Sequence, residues 1–334
     1  MRRAILVGSV LLAACTIQYR GPVQAAPDEH LAHMNVADRA APITRAFDPS
    51  QQGMAGIPAS NNAVAARLAA SNRHAEWVAI ALEPGSADSV MAWVVYPERQ
   101  TRAGVVVVVH EIFGLSTWVR GVADRVAADG FIAIAPDFLT RVRGGPSSVE
   151  LTSDSARRLI SGVNSVERNR MITAVANWAM TLPAATQKYA VIGYCWGGTT
   201  TWMHAVHGGV NGFSGGVAFY GAPYMSGGSP ATATAPAVPA TPDADSLAKI
   251  RVPLMLLNGS KDARIGAAMP AIDSLMRARG KTYTGVNYPG AVHGFLRAQD
   301  DPKAQRDEAE EQANLAAAKD GWARTVAFLK QRLN

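Results

Sequence analysis

The stretch Gly193-Tyr194-Cys195-Trp196-Gly197-Gly198 sets a sulfur between glycines, where the apolar run Val191-Ile192-Gly193-Tyr194 ends and a helical pattern begins. Gly-x-Cys-x-Gly is the spacing of a nucleophile elbow with cysteine in the place of serine. Such a corner strains its central residue so that the side chain projects over the sheet. Its neighbours must be small for strand and helix to approach so closely. The amino end of the following helix carries partial positive charge, which favours a thiolate. A buried structural cysteine is the alternative for any lone sulfur. The flanking glycines and the strand-to-helix setting favour Cys195 as a nucleophile for acyl transfer.

A nucleophile needs a base and a group that orients the base. Hydrolases built on this elbow carry the three in the chain order nucleophile, acid, histidine. VPLMLLNGSKDARIG places Asp262 just beyond a strand end, and VNYPGAVHGF places His293 in the loop after the next strand. Taken alone, Asp262 reads as a loop cap; chain order and the sheet edge shared with Cys195 make it the acid. His204 and His207 ride the helix after the elbow, and His30, His33 and His74 precede the sheet, so they fit less well. His110-Glu111-Ile112-Phe113-Gly114 opens like the zinc motif H-E-x-x-H, but glycine stands where the second histidine belongs. No metal and no cofactor are expected.

The elements that must position these groups alternate. AEWVAIAL (75–82) and SVMAWVVYP (89–97), split by a Pro-Gly turn, predict a strand pair. GVVVVVH (104–110) is a β-branched run of the kind buried on both faces of a parallel sheet. FIAIAPD, KYAVIGY, GVAFYG, VPLMLLNG and TGVNYPG share that character, with helical stretches between them and a long helix at the carboxyl end. The fold class is therefore α/β, a mostly parallel central sheet with helices on both faces and reactive groups at the carboxyl ends of the strands. Residues 226–245, rich in Pro, Ala and Thr, read as a flexible insertion; a linker suits the composition better than a lid.

The chain has 334 residues, 48% of them apolar and 17% charged, enough to bury a substantial core. Residues 1–25 hold three arginines and no acid; beyond them 29 basic side chains face 26 acidic ones, a net charge of +3. With no dense basic run, this excludes a nucleic-acid partner. Met1-Arg2-Arg3 followed by AILVGSVLLAA is the layout of an export leader, its apolar part too short to span a bilayer. Two processing sites compete. Leu12-Ala13-Ala14-Cys15 resembles a lipoprotein box, which would lipidate Cys15 and attach the chain to a membrane; Val23-Gln24-Ala25 resembles a signal-peptidase site. An exported, periplasmic protein is expected, soluble or lipid-anchored. Residues 26–74 form a weakly patterned extension ahead of the main domain at 75–334.

Together GYCWGG, HEIFGLS (110–116) and HGF (293–295) resemble the dienelactone hydrolase, or carboxymethylenebutenolidase, family of the α/β-hydrolase fold. The resemblance spans roughly residues 75–334. It implies Cys195 as nucleophile, His293 as base, Asp262 as its partner, and Glu111 as a carboxylate that interacts with the resting thiol and helps to ionise it when substrate arrives. It implies the backbone N–H groups of Ile112 and Trp196 as the oxyanion hole, and Arg297 as a binder of the substrate carboxylate. The family's second arginine is not assigned; Arg141, Arg143, Arg157, Arg158, Arg168 and Arg170 are candidates. The expected function is hydrolysis of a small ester or lactone through a thioester, by a monomer. A broad carboxylesterase or thioesterase and a non-catalytic envelope lipoprotein of the same fold are the alternatives.

Overall fold

The computed structural model describes residues 56–144, 147, 151–229, 238–299 and 307–334. The leader with Cys15, the extension up to residue 55 and residues 230–237 of the insertion lie outside them. Eight strands form one sheet: β1 (Ala75–Ala81), β2 (Ser89–Val95), β3 (Ala103–Val109), β4 (Ile132–Pro136), β5 (Ala185–Tyr194), β6 (Phe213–Phe219), β9 (Leu254–Gly259) and β10 (Tyr283–Tyr288). Their order is β1-β2-β4-β3-β5-β6-β9-β10. β1 and β2 pair antiparallel, as does β2 with β4; every later pairing is parallel. This is the expected mostly parallel sheet, with the Pro-Gly hairpin at one edge.

β3 is buried along its whole length, because its valines face helices on both sides. The principal helices are α1 (Val64–Ala69), α2 (Thr117–Ala128), α5 (Ser165–Met180), α6 (Trp196–His207), α8 (Ala263–Ala278) and α9 (Glu308–Leu333). Between them come the short α3 (Thr140–Arg143), α4 (Ser153–Ile160) and α7 (Ala244–Lys249). The glycines of the strands show which helix covers which face. Gly193 and Gly216 lie against Thr201 of α6, whereas Gly104 and Gly215 lie against Leu333 and Phe328 of α9. α9 is joined on its face by α2, whose end residue Asp129 accepts the indole N–H of Trp322 at 2.9 Å.

Two regions differ from the sequence expectation. Ile57, Ala59, Ala63 and Val64 join the core, so the packed unit begins ahead of residue 75. Val64 fills the space left by Gly121 on α2, a contact between residues too distant in sequence for any local pattern to reveal. The insertion is not simply a linker: its described ends pair as β7 (Met225–Ser226) with β8 (Thr241–Pro242), and Ser229 bridges to Val238. Asp243 then caps α7 through Ser246 N–H at 2.7 Å.

The approach of β5, α6 and the end of β3 leaves no room for side chains. A Cβ on Gly193 would collide with the carbonyl of Gly197, and one on Gly197 with the carbonyls of Val109 and His110. Because the obstacles are backbone atoms, relief requires moving the strand itself. Gly193→Ala is expected to lower stability by about 3 kcal/mol or more, read by chemical denaturation; an unchanged midpoint would show that the corner has slack.

Candidate active site

Cys195 occupies the corner between β5 and α6 with φ 57° and ψ −118°, a left-handed conformation for a residue that carries a Cβ. It is held there from both sides. Its N–H donates to the carbonyl of Phe219 at 3.0 Å, and its carbonyl accepts Thr199 N–H at 3.1 Å. The residue is fully buried. Trp196 is the first residue of α6, where a backbone N–H has no acceptor within its own helix.

Asp262 ends the loop after β9 and does two jobs with one carboxylate. Oδ1 accepts Ile265 N–H at 3.3 Å, capping α8, and Oδ2 accepts from His293 Nδ1 at 2.6 Å. Asp262 thus caps a helix and meets His293 with the same carboxylate. Burial would raise the carboxyl's pKa, but the hydrogen bond and charge of His293 hold it below the ordinary value.

His293 lies in the loop after β10. Asn314 of α9 accepts the neighbouring Val292 N–H at 3.0 Å, and the Tyr220 ring packs against the imidazole with centroids 5.0 Å apart. With Nδ1 committed to Asp262, Nε2 is the ring nitrogen left for Cys195, which is among the groups that act on the imidazole's charge. Burial would lower the imidazole pKa. Attraction to Cys195 and the hydrogen bonds to Asp262 and Cys195 outweigh it and push the value up to about 10. The three groups chosen from chain order are one connected chain in space.

Glu111 and Arg297, which the resemblance gave separate tasks, meet. Arg297 Nε lies 3.2 Å from Glu111 Oε2, with the carboxylate buried and the guanidinium partly exposed. The guanidinium also sits over the Phe113 ring, 5.5 Å from its centroid. Gly114 turns the chain with φ 78°, and Ser116 caps α2, so the Glu111 loop is anchored at both ends. Ile112, the other expected oxyanion donor, is fully buried in that loop.

Of the six arginines left unassigned, Arg143 and Arg168 lie beside elements of this site. Arg143 donates to Ser147 Oγ at 2.9 Å, and Ser147 packs on Gly114. Arg168 lies 4.2 Å over the Trp196 ring. Arg141 pairs with Asp88 and Glu167, Arg170 with Glu83 and Asp88, and Arg157 with Asp154, while Arg158 donates to Ser155. Sequence reasoning missed Tyr220, which backs His293 with φ 39°, and Asn314, which holds the His293 loop from the terminal helix. Neither bears a local signal; each is defined by a contact made from a distant part of the chain.

Comparison with known proteins agrees with this architecture. The model of the dienelactone hydrolase family matches residues 90–333. A protein of Escherichia coli K12 named "Putative carboxymethylenebutenolidase" is 27% identical over 250 residues, 74% of this chain and 84% of that one. One of the same name from Methylorubrum extorquens is 31% identical over 228 residues, covering 68% of this chain and 71% of the relative. The crystal structure of a "Putative Dienelactone Hydrolase" from Klebsiella pneumoniae superposes with a TM-score of 0.61 at 27% identity, over 78% of this chain and all of that one. An α/β sheet of this topology, a Gly-Tyr-Cys-Trp-Gly corner and a family match across most of the chain lead to one conclusion: the protein belongs to the dienelactone hydrolase family.

Proposed function

We propose that the chain hydrolyses small esters or lactones bearing a carboxylate, with Cys195 as nucleophile. The observation that carries this reading is the linked series Cys195–His293–Asp262, ending in a 2.6 Å hydrogen bond, at a corner whose backbone is strained to present the sulfur. The names of the relatives point to the same bond class.

Cys195 sulfur attacks the acyl carbon, and the carbonyl π-pair moves to oxygen. The N–H groups of Ile112 and Trp196 meet the resulting oxyanion. Collapse of the intermediate expels the alkoxide or enolate, which takes its proton from His293, leaving a thioester. Acylation also resets the base. Once the sulfur carries an acyl group, the attraction that kept His293 protonated is gone, while burial and Asp262 remain. The imidazole, having given its proton to the leaving group, then stays neutral near physiological pH and takes a proton from the water that attacks the thioester. The C–S bond breaks, releasing the acid and restoring the Cys195 thiolate beside the protonated ring.

The Glu111–Arg297 pair supplies the link to a carboxylate. A guanidinium already holding one carboxylate at 3.2 Å is a ready site for another. A substrate carboxylate that captures Arg297 releases Glu111 into the space next to Cys195. The leader pattern adds export to this reading, with the fate of Cys15 fixed by the mass of the mature amino terminus.

Three outcomes are expected. Cys195→Ala should lose at least about 1,000-fold in kcat/KM on every ester or lactone cleaved by the unmodified protein; residual turnover near the original would remove Cys195 from the reaction. Arg297→Met should raise KM for a carboxylate-bearing lactone by about 10- to 100-fold, the worth of hydrogen bonds to a charged group. A neutral aryl ester such as p-nitrophenyl acetate should change little, and equal effects on both would defeat the carboxylate reading. The His293 resonance, followed by NMR, should titrate near 10 in the resting protein. After iodoacetamide caps Cys195, it should fall back toward or below the ordinary ~6.5, and an unmoved titration would separate the ring from the sulfur. In the resting protein the charged imidazole is present below that value and lost as pH rises through it, so the acylation rate should decline on the alkaline side.

A further inference from the structure

His110 follows Val109, the last residue of β3, immediately before the Glu111 loop, and its ring is fully buried. Nothing in the reaction as described uses it. Its hydrogen bonds nevertheless fix its protonation state. Phe138 N–H donates to Nε2 at 3.0 Å, so that nitrogen carries the lone pair. The ring proton is therefore on Nδ1, which donates to the carbonyl oxygen of Glu111 at 2.5 Å. Asp137 Oδ1, at 3.9 Å from Nε2, is beyond hydrogen-bond reach, and the Asp137 oxygens accept Leu139 N–H and Ser147 N–H instead. Burial lowers the imidazole pKa against the attraction of Asp137. The ring is neutral, in one tautomer.

The carbonyl that His110 grips belongs to the same peptide unit as the N–H of Ile112. That unit is trans and planar, so the C=O and N–H point in opposite directions. Holding the oxygen therefore aims the N–H. Accepting a hydrogen bond at oxygen also polarises the amide and makes its N–H a stronger donor. The same ring lies nearly parallel to Trp196, with centroids 5.8 Å apart and planes inclined by 10°. Phe138 meets it edge-on at 5.2 Å. One buried side chain thus bonds the peptide that carries Ile112 N–H and stacks beside Trp196, which carries the other expected donor.

We propose that His110 is a positioning residue for the oxyanion hole: its Nδ1–H holds and polarises the Glu111–Ile112 peptide so that Ile112 N–H faces the oxyanion formed on attack by Cys195. This deepens the proposed function and rests on its assignment of Cys195. A histidine that merely fills the core would support both chemistries of Cys195 equally. A histidine that aims an oxyanion donor matters only where an oxyanion forms. Alkylation of the sulfur by iodoacetamide forms none.

The test compares hydrolysis of p-nitrophenyl acetate with alkylation by iodoacetamide in His110→Leu and His110→Gln, each checked for folding by circular dichroism. Leucine removes both hydrogen bonds. Hydrolysis by His110→Leu is expected to fall about 10- to 100-fold, somewhat less than loss of a whole oxyanion donor costs. Its alkylation rate should stay within about threefold of the original, because the displacement at sulfur needs no such donor. Glutamine offers an amide N–H for the Glu111 carbonyl and an oxygen for Phe138 N–H, so His110→Gln should recover hydrolysis to within about fivefold.

The proposal is overturned if hydrolysis and alkylation fall together, if His110→Leu hydrolyses as fast as the original, or if glutamine recovers no more than leucine. Should His110→Leu not fold, a folded His110→Gln decides: hydrolysis within that range sustains the proposal, and a larger loss overturns it. Absence of hydrolysis by the unmodified protein on every ester would instead remove the Cys195 reading, and this inference with it.

Discussion

The structure turns on a backbone contact that excludes side chains. Where β5 runs into α6, the peptide groups of Gly193, Gly197, Val109 and His110 lie so close that a methyl group at either glycine has nowhere to go. This forces the strand to turn within a single residue, and that residue is Cys195 at φ 57°. Two consequences follow from one constraint. The sulfur is presented at the sheet edge without a flexible loop, and the first turn of α6 is brought against the end of β3. Trp196 and the His110 ring are thereby brought side by side at that edge.

Around that corner the charges are arranged as two linked pairs rather than as separate groups. Asp262 steadies His293, and His293 faces Cys195; Glu111 holds Arg297. Buried charges are tolerated only when paired, so each pair restrains its members until a ligand competes. The pairs are mechanically joined as well. Glu111 and Ile112 share one loop, and His293 and Arg297 share another. Whatever moves Arg297 therefore acts close to His293, and whatever moves Glu111 acts on the peptide that joins it to Ile112.

Much of this was legible before any coordinates. The β-branched run of β3 and the strand–helix alternation announced a parallel sheet, because those patterns report burial directly. The elbow was legible because its glycines are a local necessity. The meeting of Asp262 with His293 was legible because strand ends share an edge. The Glu111–Arg297 pair was not, since two loops far apart in sequence carry no mutual signal. Nor was the setting of His110: the sequence showed only a zinc motif that fails for want of its second histidine, and it takes the acceptor at Nε2 and the donor at Nδ1 to reveal a ring turned on its own neighbour's carbonyl. The second arginine also stayed open, because six arginines in one region are told apart only by the partners they meet in space. The paired ends of the 226–245 segment were hidden by a composition that reads as linker.

The segment ahead of the sheet shows how packing extends beyond the part of the chain that matches the family, residues 90–333. Asn61 N–H donates to the carbonyl of Arg297 at 3.0 Å, Gln299 reaches the carbonyl of Pro58 at 3.0 Å, and Trp118 donates to that of Ala59 at 3.0 Å. These bonds fasten residues 58–61 to both the Arg297 loop and α2. Backbone carbonyls and amides in an irregular buried segment need such partners, and here the partners belong to the loop that carries the guanidinium. The satisfaction of one segment's polar groups is therefore also the restraint on another segment's freedom. The Arg297 backbone is thereby tied to residue 61, and its guanidinium meets Glu111 from an anchored Cα.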